Sequence, residues 1–281
     1  MIACGGTEKP TSEPTIVVPS REATAGDEIL GLVPDGADSI LEIDVGRLRA
    51  NKAVGTLFRA LTKDGGNGAG GLDLFGAGDL VVFVSYGIGD PEPERLVIVR
   101  GSNTNEIEGA FRLDDRTVAI ASGDMQKRLT LVAAGQQTSL ATTSRLLRLR
   151  ALAMPEGAKG AALRVAAHLD FDARIALAKA LDIDEVPVSV SIWGDVADDL
   201  AIVALVSGQD PKEGRKLGRA LESVRARLAR ETTIRRLGLG RLVRGATIEN
   251  GGSAARMVLV VGPRRLARLV ERLLGRIGVG T

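Results

Sequence analysis

Hydrophobic residues recur along the chain with two different spacings, and each spacing predicts one kind of regular structure. Short apolar runs rich in β-branched residues, such as residues 82–87 and 96–101, have the length and composition of strands. Other segments have helical spacing. Over Pro211–Arg230 the apolar residues advance by four, three and four positions, which is one helical face: Leu217, Leu221, Val224 and Leu228. A second amphipathic helix is predicted over Pro263–Ile277, where proline suits the first helical position.

These patterns occur twice, in the same order. The turn sequence VPDGA at residues 33–37 reappears as MPEGA at residues 154–158, and each copy continues into a strand-like run and then a helical pattern. The later runs also correspond: 82–87 with 189–194, 96–101 with 202–208, and 128–135 with 256–262. We therefore predict a flexible tether over residues 1–28, a first repeat over 29–152 and a second over 153–281.

The order of elements within a copy predicts the fold class. Short strands lie next to one another, turn-rich segments of hairpin length join the middle pair, and helices lie between the pairs. This arrangement favours an α+β protein of two tandem modules, each a mainly antiparallel sheet with helices on one face. The start of each copy resembles the split βαβ, ferredoxin-like unit.

Composition excludes several classes of site. The chain has 281 residues, of which 44% are apolar, but its aromatic residues are only five Phe, one Tyr and one Trp, so the core must be aliphatic. A single Cys excludes a disulfide framework, and a single His excludes any site that needs two imidazoles. No stretch of about 18 uninterrupted apolar residues predicts a transmembrane helix.

The net charge of +2 is the sum of opposite charges on two unlike parts of the chain. Residues 211–281 contain 15 Arg and 2 Lys against 5 Glu, a charge of +12, which leaves −10 for residues 1–210. Such an asymmetry fits either a surface that binds polyanions or two parts that attract each other.

An arginine stripe on the last predicted helix is the strongest candidate for a binding site. Its members advance by three, four and four positions and so share one face: Arg265, Arg268, Arg272 and Arg276. An ordinary solvated face, an acidic protein surface within or outside the chain, and anionic lipid headgroups all remain open. Nucleic acid is disfavoured because residues 211–281 contain no aromatic residue to stack on bases.

Other candidate chemistry is weaker. Residues 66–71 match G-x-G-x-x-G but follow a predicted helix, whereas a dinucleotide site needs the motif to leave a strand. His168 precedes Asp170 and Asp172, a conceivable general base with an orienting carboxylate, but a structural histidine is the default interpretation. We assign no catalytic residue and predict no cofactor.

Two groups of acidic residues contain oxygen ligands suited to a hard cation. They are Asp182, Asp184 and Glu185, and separately Asp195, Asp198 and Asp199. Neither group has the spacing of a calcium-binding loop, so both are interpreted as solvated turns and no metal site is predicted.

The N-terminal segment indicates where in the cell the protein is located. A small residue followed by Cys4, two glycines and a polar linker resembles the cleavage region of bacterial lipoprotein precursors, in which the cysteine carries the lipid. Residues 5–28 would then form a tether of roughly 25–30 Å. An apolar leader is required before such a cysteine, and three residues precede Cys4, so the leader would lie upstream or have been removed. The alternative is a cytoplasmic protein with an incidental cysteine.

Together, Cys4, the linker and the duplicated module resemble uncharacterised two-repeat bacterial lipoproteins. The resemblance implies a non-enzymatic, membrane-tethered protein of the cell envelope, facing the periplasm or exterior, that acts by binding or structural interaction. Its partners would be the membrane, through the lipid, and a protein or anionic lipid at the basic helix. Two alternatives remain: a soluble hydrolase-type enzyme using His168 and nearby Asp residues, and a cytoplasmic adaptor that binds polyanions through the arginine stripe.

Overall fold

Ten strands in the described part of the chain form one antiparallel sheet. A computed structural model describes residues 24–63, 72–104, 107–142, 144–181, 185–197, 199–236 and 238–276. The strands are β1 (Ser39–Asp44), β2 (Leu80–Tyr86), β3 (Glu94–Arg100), β4 (Phe111–Asp114), β5 (Thr117–Ala121), β6 (Leu163–His168), β7 (Ser189–Asp195), β8 (Leu200–Ser207), β9 (Thr247–Gly251) and β10 (Ala254–Val261). Their order across the sheet is β4-β5-β3-β2-β1-β6-β7-β8-β10-β9. The α+β class with an antiparallel sheet is confirmed.

Helices connect and flank these strands. They are α1 (Ala25–Leu30), α2 (Val45–Ala50), α3 (Lys52–Lys63), α4 (Leu72–Ala77), α5 (Gly123–Ala133), α6 (Ser144–Leu152), α7 (Phe171–Leu181), α8 (Pro211–Arg230), α9 (Thr232–Arg236), α10 (Gly240–Arg244) and α11 (Pro263–Arg276). A short 3-10 helix covers Leu140–Thr142. Helix α8 has the bounds that the sequence predicted, with Pro211 in its first turn and the Asp210 carboxylate accepting from two backbone amides there.

The sheet is continuous across the middle of the sequence, because β1 pairs with β6. We call residues 24–152 the first half and residues 153–276 the second half. Outward from the β1–β6 pair the strand order is β1-β2-β3-β5-β4 on one side and β6-β7-β8-β10-β9 on the other, the same order twice. The two predicted modules thus share one sheet rather than having one each, and their status as separate domains stays a prediction.

The predicted split βαβ start is wrong. In that unit the two strands that flank the helix run parallel with another strand between them. Here β1 pairs directly with β2 in antiparallel register, Ile40 opposite Val84, although helices α2–α4 connect them. Asp44, the last residue of β1, caps the first of these helices, α2, by accepting from Arg47 N at 2.7 Å.

Helices cover both faces of the sheet, not one face as predicted. The face that carries Val82 and Val84, which we call the front face, packs against α1, α5 and α6. The opposite, back face carries Val81 and Val99 and packs against α3 and α4. The apolar run at residues 80–84 of β2 is the physical reason, since it places apolar side chains on both faces of the strand.

The closing helices of the two halves lie on opposite faces. In the first half, α5 follows β5 as α11 follows β10, and it buries Met125 and Leu129 on the front face, where the last helix of this half, α6, also packs. In the second half, α11 packs on the back face, where Leu266 and Val270 meet Val261 of β10 and the apolar side of α3. Helix α11 therefore joins the second half to the first.

The repeated turn sequences adopt matching backbone conformations. Gly36 has φ of 91° and Gly157 has φ of 77°. Both values lie in the left-handed region, which glycine reaches without a steric penalty. The glycine in each Pro-x-Gly-Ala turn is thus required by the path of the chain into the first strand of its half.

Candidate functional site

The arginine stripe lies on α11, whose apolar side fixes its position. Leu266, Val270 and Leu274 are buried against β10 and α3, so α11 is anchored along its length. The arginines on its other side remain exposed. Arg276 is the last residue of α11, and its side chain lies outside the part that the structure describes.

Three of the predicted arginines line a common cleft of about 330 Å³, which we call the arginine cleft. Helix α10 forms the other wall and contributes a fourth guanidinium that the sequence analysis missed. The described lining comprises Gly238, Arg241, Leu242, Arg265, Arg268, Leu269 and Arg272. Arg241 lies 24 or more positions before the others, so helical spacing within α11 could not have revealed it.

The cleft is strongly cationic because no carboxylate lies in its described lining. Within the described residues, none of its four arginines forms an ion pair with an acidic side chain. Arg268 Nε donates to the carbonyl of Arg264 at 3.2 Å, which orients its guanidinium and leaves the other donors available. Guanidinium groups stay charged at all physiological pH values, so an anion here would relieve their mutual repulsion.

A tight turn brings the two walls together. Gly238 has φ of 77°, and a Cβ placed there would lie 3.2 Å from Arg272 Nη1. The backbone before α10 therefore passes close to the α11 stripe.

His168 lies at the end of a strand and is partly buried. It ends β6, opposite Ser189, and its backbone amide donates to the carbonyl of Asp38 at 2.8 Å. Burial and the charge of Arg145 hold the pKa of the imidazole below its usual value, while Asp170 and Asp38 act in the opposite direction. The imidazole forms no hydrogen bond with another described residue, so the alternative of a general base oriented by Asp170 or Asp172 has no supporting contact among the described residues.

The carboxylates near His168 have a local role. Asp170 Oδ1 accepts from the backbone amide of Ala173 at 2.8 Å, which caps the start of α7. Asp172 lies exposed in the first turn of the same helix.

The structure describes three members of the two acidic groups, Glu185, Asp195 and Asp199, and the first two are paired with basic side chains. Glu185 forms an ion pair with Lys216 of α8. Asp195 accepts two hydrogen bonds from Arg47, at 2.5 and 2.7 Å. Asp182, Asp184 and Asp198 lie outside the described residues. Among the residues that are described, no three His, Cys, Asp or Glu side chains form a group that could hold a metal ion.

Two sequence features fall outside the described residues: Cys4 and the glycine-rich segment 66–71. Across the ranges that the structure does describe, no helix combines the length and apolar character needed to cross a bilayer.

A buried charge cluster at the centre of the front face was also missed. Arg150 of α6 donates to both carboxylate oxygens of Glu42 and, at 2.5 Å, to Asp27. Arg164, opposite Glu42 on β6, has its Nη1 3.9 Å from Glu42 Oε2. Burial raises the pKa of Asp27, but hydrogen bonds from Thr24 and Arg150 outweigh burial and hold the pKa below its ordinary value. The available signal was Glu42 itself, a charge at a core position of an apolar strand.

This cluster borders a polar cavity of about 440 Å³ at the junction of the halves. Its lining contains both cations and anions, and two ion pairs lie within it: Arg100 with Glu28, and Arg116 with Asp79. Basic and acidic side chains in this cavity neutralise one another, whereas the arginine cleft has no acidic side chain in its described lining.

Comparisons with known proteins concern the fold alone. No protein-family description matches the chain, and no curated protein matches it. Among solved structures, crystal form III of TP0453 is 13% identical, with 86% of this chain and 96% of that chain covered and a TM-score of 0.47. Crystal form I of TP0453 is 14% identical, with 87% and 96% covered and a TM-score of 0.42. Functional inference therefore rests on this chain's own residues.

Proposed function

We propose that the protein is a non-enzymatic, membrane-tethered protein of the cell envelope that binds anionic groups through the arginine cleft. Cys4 would carry the lipid, and the polar segment that follows would hold the folded body near the membrane surface. The ligands proposed for the cleft are the phosphates of anionic lipid headgroups, which a tethered body meets at high local concentration.

The observation that carries this proposal is the convergence of Arg241, Arg265, Arg268 and Arg272 on one cleft without a described acidic partner. Guanidinium forks bind phosphate oxygens in pairs, so several forks in one cleft suit a phosphate group better than a single charge would. The structure offers no matching observation in favour of a hydrolase built on His168.

Lipid attachment is tested on the complete gene, expressed from its genomic start in a bacterial host supplied with labelled palmitate. The wild-type protein should incorporate label and fractionate with membranes. A Cys4→Ser variant should do neither. An unlabelled wild-type protein in the cytoplasmic fraction would remove the tether and favour the polyanion-binding adaptor.

Anion binding is tested separately, with the untethered chain and sedimented vesicles. Vesicles containing phosphatidylglycerol should bind the protein, and vesicles of phosphatidylcholine should not. Binding should weaken between about 50 and about 300 mM salt because screening reduces attraction between exposed charges.

A matched pair of double variants locates the contact. Arg268→Gln with Arg272→Gln should weaken vesicle binding roughly 30-fold, since each arginine near an anionic surface contributes about 1 kcal/mol. Arg95→Gln with Arg215→Gln removes the same charge from exposed positions outside the cleft and should have little effect. Equal losses in both variants would mean that net charge, not the cleft, is responsible.

A further inference from the structure

A second concave site lies along helix α8, on the back face and apart from the arginine cleft. Helix α8 forms one side of a groove of about 510 Å³, which we call the α8 groove. Its described lining comprises Glu185, Pro187, Val206, Lys216, Leu217, Arg219, Ala220, Leu221, Ser223, Val224 and Arg227. A volume of this size falls within the range of small-molecule sites.

The floor of the groove is apolar. Val206 of β8 and Leu217 are 9% and 4% exposed, and they pack together with Leu221. Burial of the apolar side chains of α8 then decreases toward its C-terminal end, since Val224 is half-buried and Leu228 is 41% exposed. The apolar stripe that the sequence predicts for α8 thus continues beyond the part that the sheet covers.

The rim of the groove is charged, and its two ends differ. At one end Lys216 is neutralised by its ion pair with Glu185. Further along, Arg219 and Arg227 form no ion pair with any acidic residue that the structure describes. An anionic head is therefore favoured at the Arg227 end and disfavoured beside the Glu185 carboxylate.

We propose that the α8 groove binds a single-chain anionic amphiphile of the fatty-acid class. Its carboxylate would contact Arg227, and its chain would lie over Val224 and Leu221 toward Leu217. From Lys216 to Arg227 the helix rises about 16 Å, which accommodates an extended chain of medium length. The proposal is independent of the arginine cleft, because the described linings of the cleft and the groove have no residue in common.

Titration calorimetry with the full chain tests the chemistry of the ligand. Dodecanoate and decanoate, each below its micelle concentration, should both bind. The shorter acid should bind roughly 15-fold more weakly, because each buried methylene contributes about 0.8 kcal/mol. Decanol, which has the same chain without the charge, should bind at least about tenfold more weakly than decanoate if the rim arginines act as inferred.

Two variants place the ligand. Arg227→Gln, at an exposed position, should weaken decanoate binding at least about tenfold and leave decanol unchanged. Val224→Glu introduces a carboxylate into the floor and should abolish binding of both. Arg215→Gln, exposed on the same helix outside the groove, is the matched control and should change neither.

The outcomes separate the explanations. Absence of dodecanoate binding would overturn the proposal, and so would equal binding of decanoate and decanol. If Arg268→Gln with Arg272→Gln abolished decanoate binding while Arg227→Gln did not, the ligand would belong to the arginine cleft and the α8 groove would not be its site. A urea unfolding curve for each variant shows whether it folds, and Arg227→Gln keeps the test decisive if Val224→Glu does not.

Discussion

Tyr86 and Trp193 lie on the second strand of the first and second half, and each donates one hydrogen bond to the backbone that leads into the first strand of its half. Tyr86 Oη donates to the carbonyl of Pro34, and Trp193 Nε1 donates to the carbonyl of Gly160, both at 2.8 Å. Each aromatic residue lies on the second strand of its half, next to a glycine in the repeated sequence. A hydrogen bond from an aromatic side chain to the entering backbone is thus present in both halves, with a phenol donor in one and an indole donor in the other.

Replacing Tyr86 with Phe should lower the free energy of unfolding by about 1–2 kcal/mol, because the buried Pro34 carbonyl loses its donor. Burial raises the pKa of the Tyr86 hydroxyl well above its usual value, so the hydroxyl remains a donor at alkaline pH. Urea unfolding at pH 7 measures the loss of stability in Tyr86→Phe. The same measurement at pH 9 should give the same difference, because the Tyr86 hydroxyl remains protonated. Phe171→Leu, at an exposed aromatic residue, is the control and should be nearly neutral.

The buried pair of Glu42 and Arg150 should be more costly to break than to remove. Arg150→Met leaves Glu42, only 4% exposed, without its two strongest donors, and should lower the unfolding free energy by about 3–5 kcal/mol. Adding Glu42→Leu to that variant should restore part of the loss, because the buried carboxylate that lost Arg150 is then removed. The restoration should be incomplete, since Arg164 loses its contact with Glu42 and Asp27 remains without Arg150. A double variant less stable than Arg150→Met would contradict this interpretation.

Gly26 is required by the same pair. A Cβ at Gly26 would lie 2.5 Å from Glu42 Oε2 and 2.8 Å from Arg150 Nη2, so Gly26→Ala forces the pair apart and should destabilise the fold by about 1–3 kcal/mol. Gly275→Ala is the matched control in a helix with open space around the new methyl group, and it should be neutral or stabilising. Thermal unfolding of the two variants provides the comparison.

The ion pair of Arg47 with Asp195 joins the two halves, and it should make the free energy of unfolding depend on pH in the acidic range. Burial raises the pKa of Asp195, but hydrogen bonds from Arg47 and Val196 outweigh it and hold the pKa below the ordinary value of 3.8. Because the folded pKa is depressed, the contribution is complete above the unfolded value and is lost as pH falls below about 4. Asp195→Asn should be less stable at pH 7, and its stability should fall less between pH 5 and 3 in urea unfolding.

His168 gives a separate pH signal, readily assigned because the sequence contains no other histidine. Burial and Arg145 lower its folded pKa below 6.5, so the unfolded chain binds the proton more tightly and stability falls as pH decreases below 6.5. Proton NMR of the imidazole should report the lowered pKa. His168→Ala should leave folding nearly intact at pH 7, whereas a large loss of any activity with unchanged stability would revive the enzyme alternative.

Local features of this fold were predictable, and long-range ones were not. The bounds of α8 and the start of α11 follow from helical spacing and from Pro211 and Pro263, which are local signals. The direct pairing of β1 with β6 has no local signal, because strand patterns state that a strand pairs but not with which partner. The same limit applies to the site: spacing identified Arg265, Arg268 and Arg272, whereas Arg241 reaches them only through the packing of a separate helix.

The β1–β6 pairing also affects the order in which contacts become thermodynamically favourable while the chain folds. These two strands are about 120 residues apart in sequence, whereas the hairpins β2–β3, β7–β8 and β9–β10 close within short loops. The entropy lost on closing a loop grows with its length, so the central pairing is the least favourable contact for an unstructured chain and becomes favourable once each half has ordered its own strands. We therefore expect the β1–β6 pairing to form after the strand pairs within each half, and we expect the ion pairs that join the halves, Arg47 with Asp195 and Arg164 with Glu42, to stabilise this late pairing.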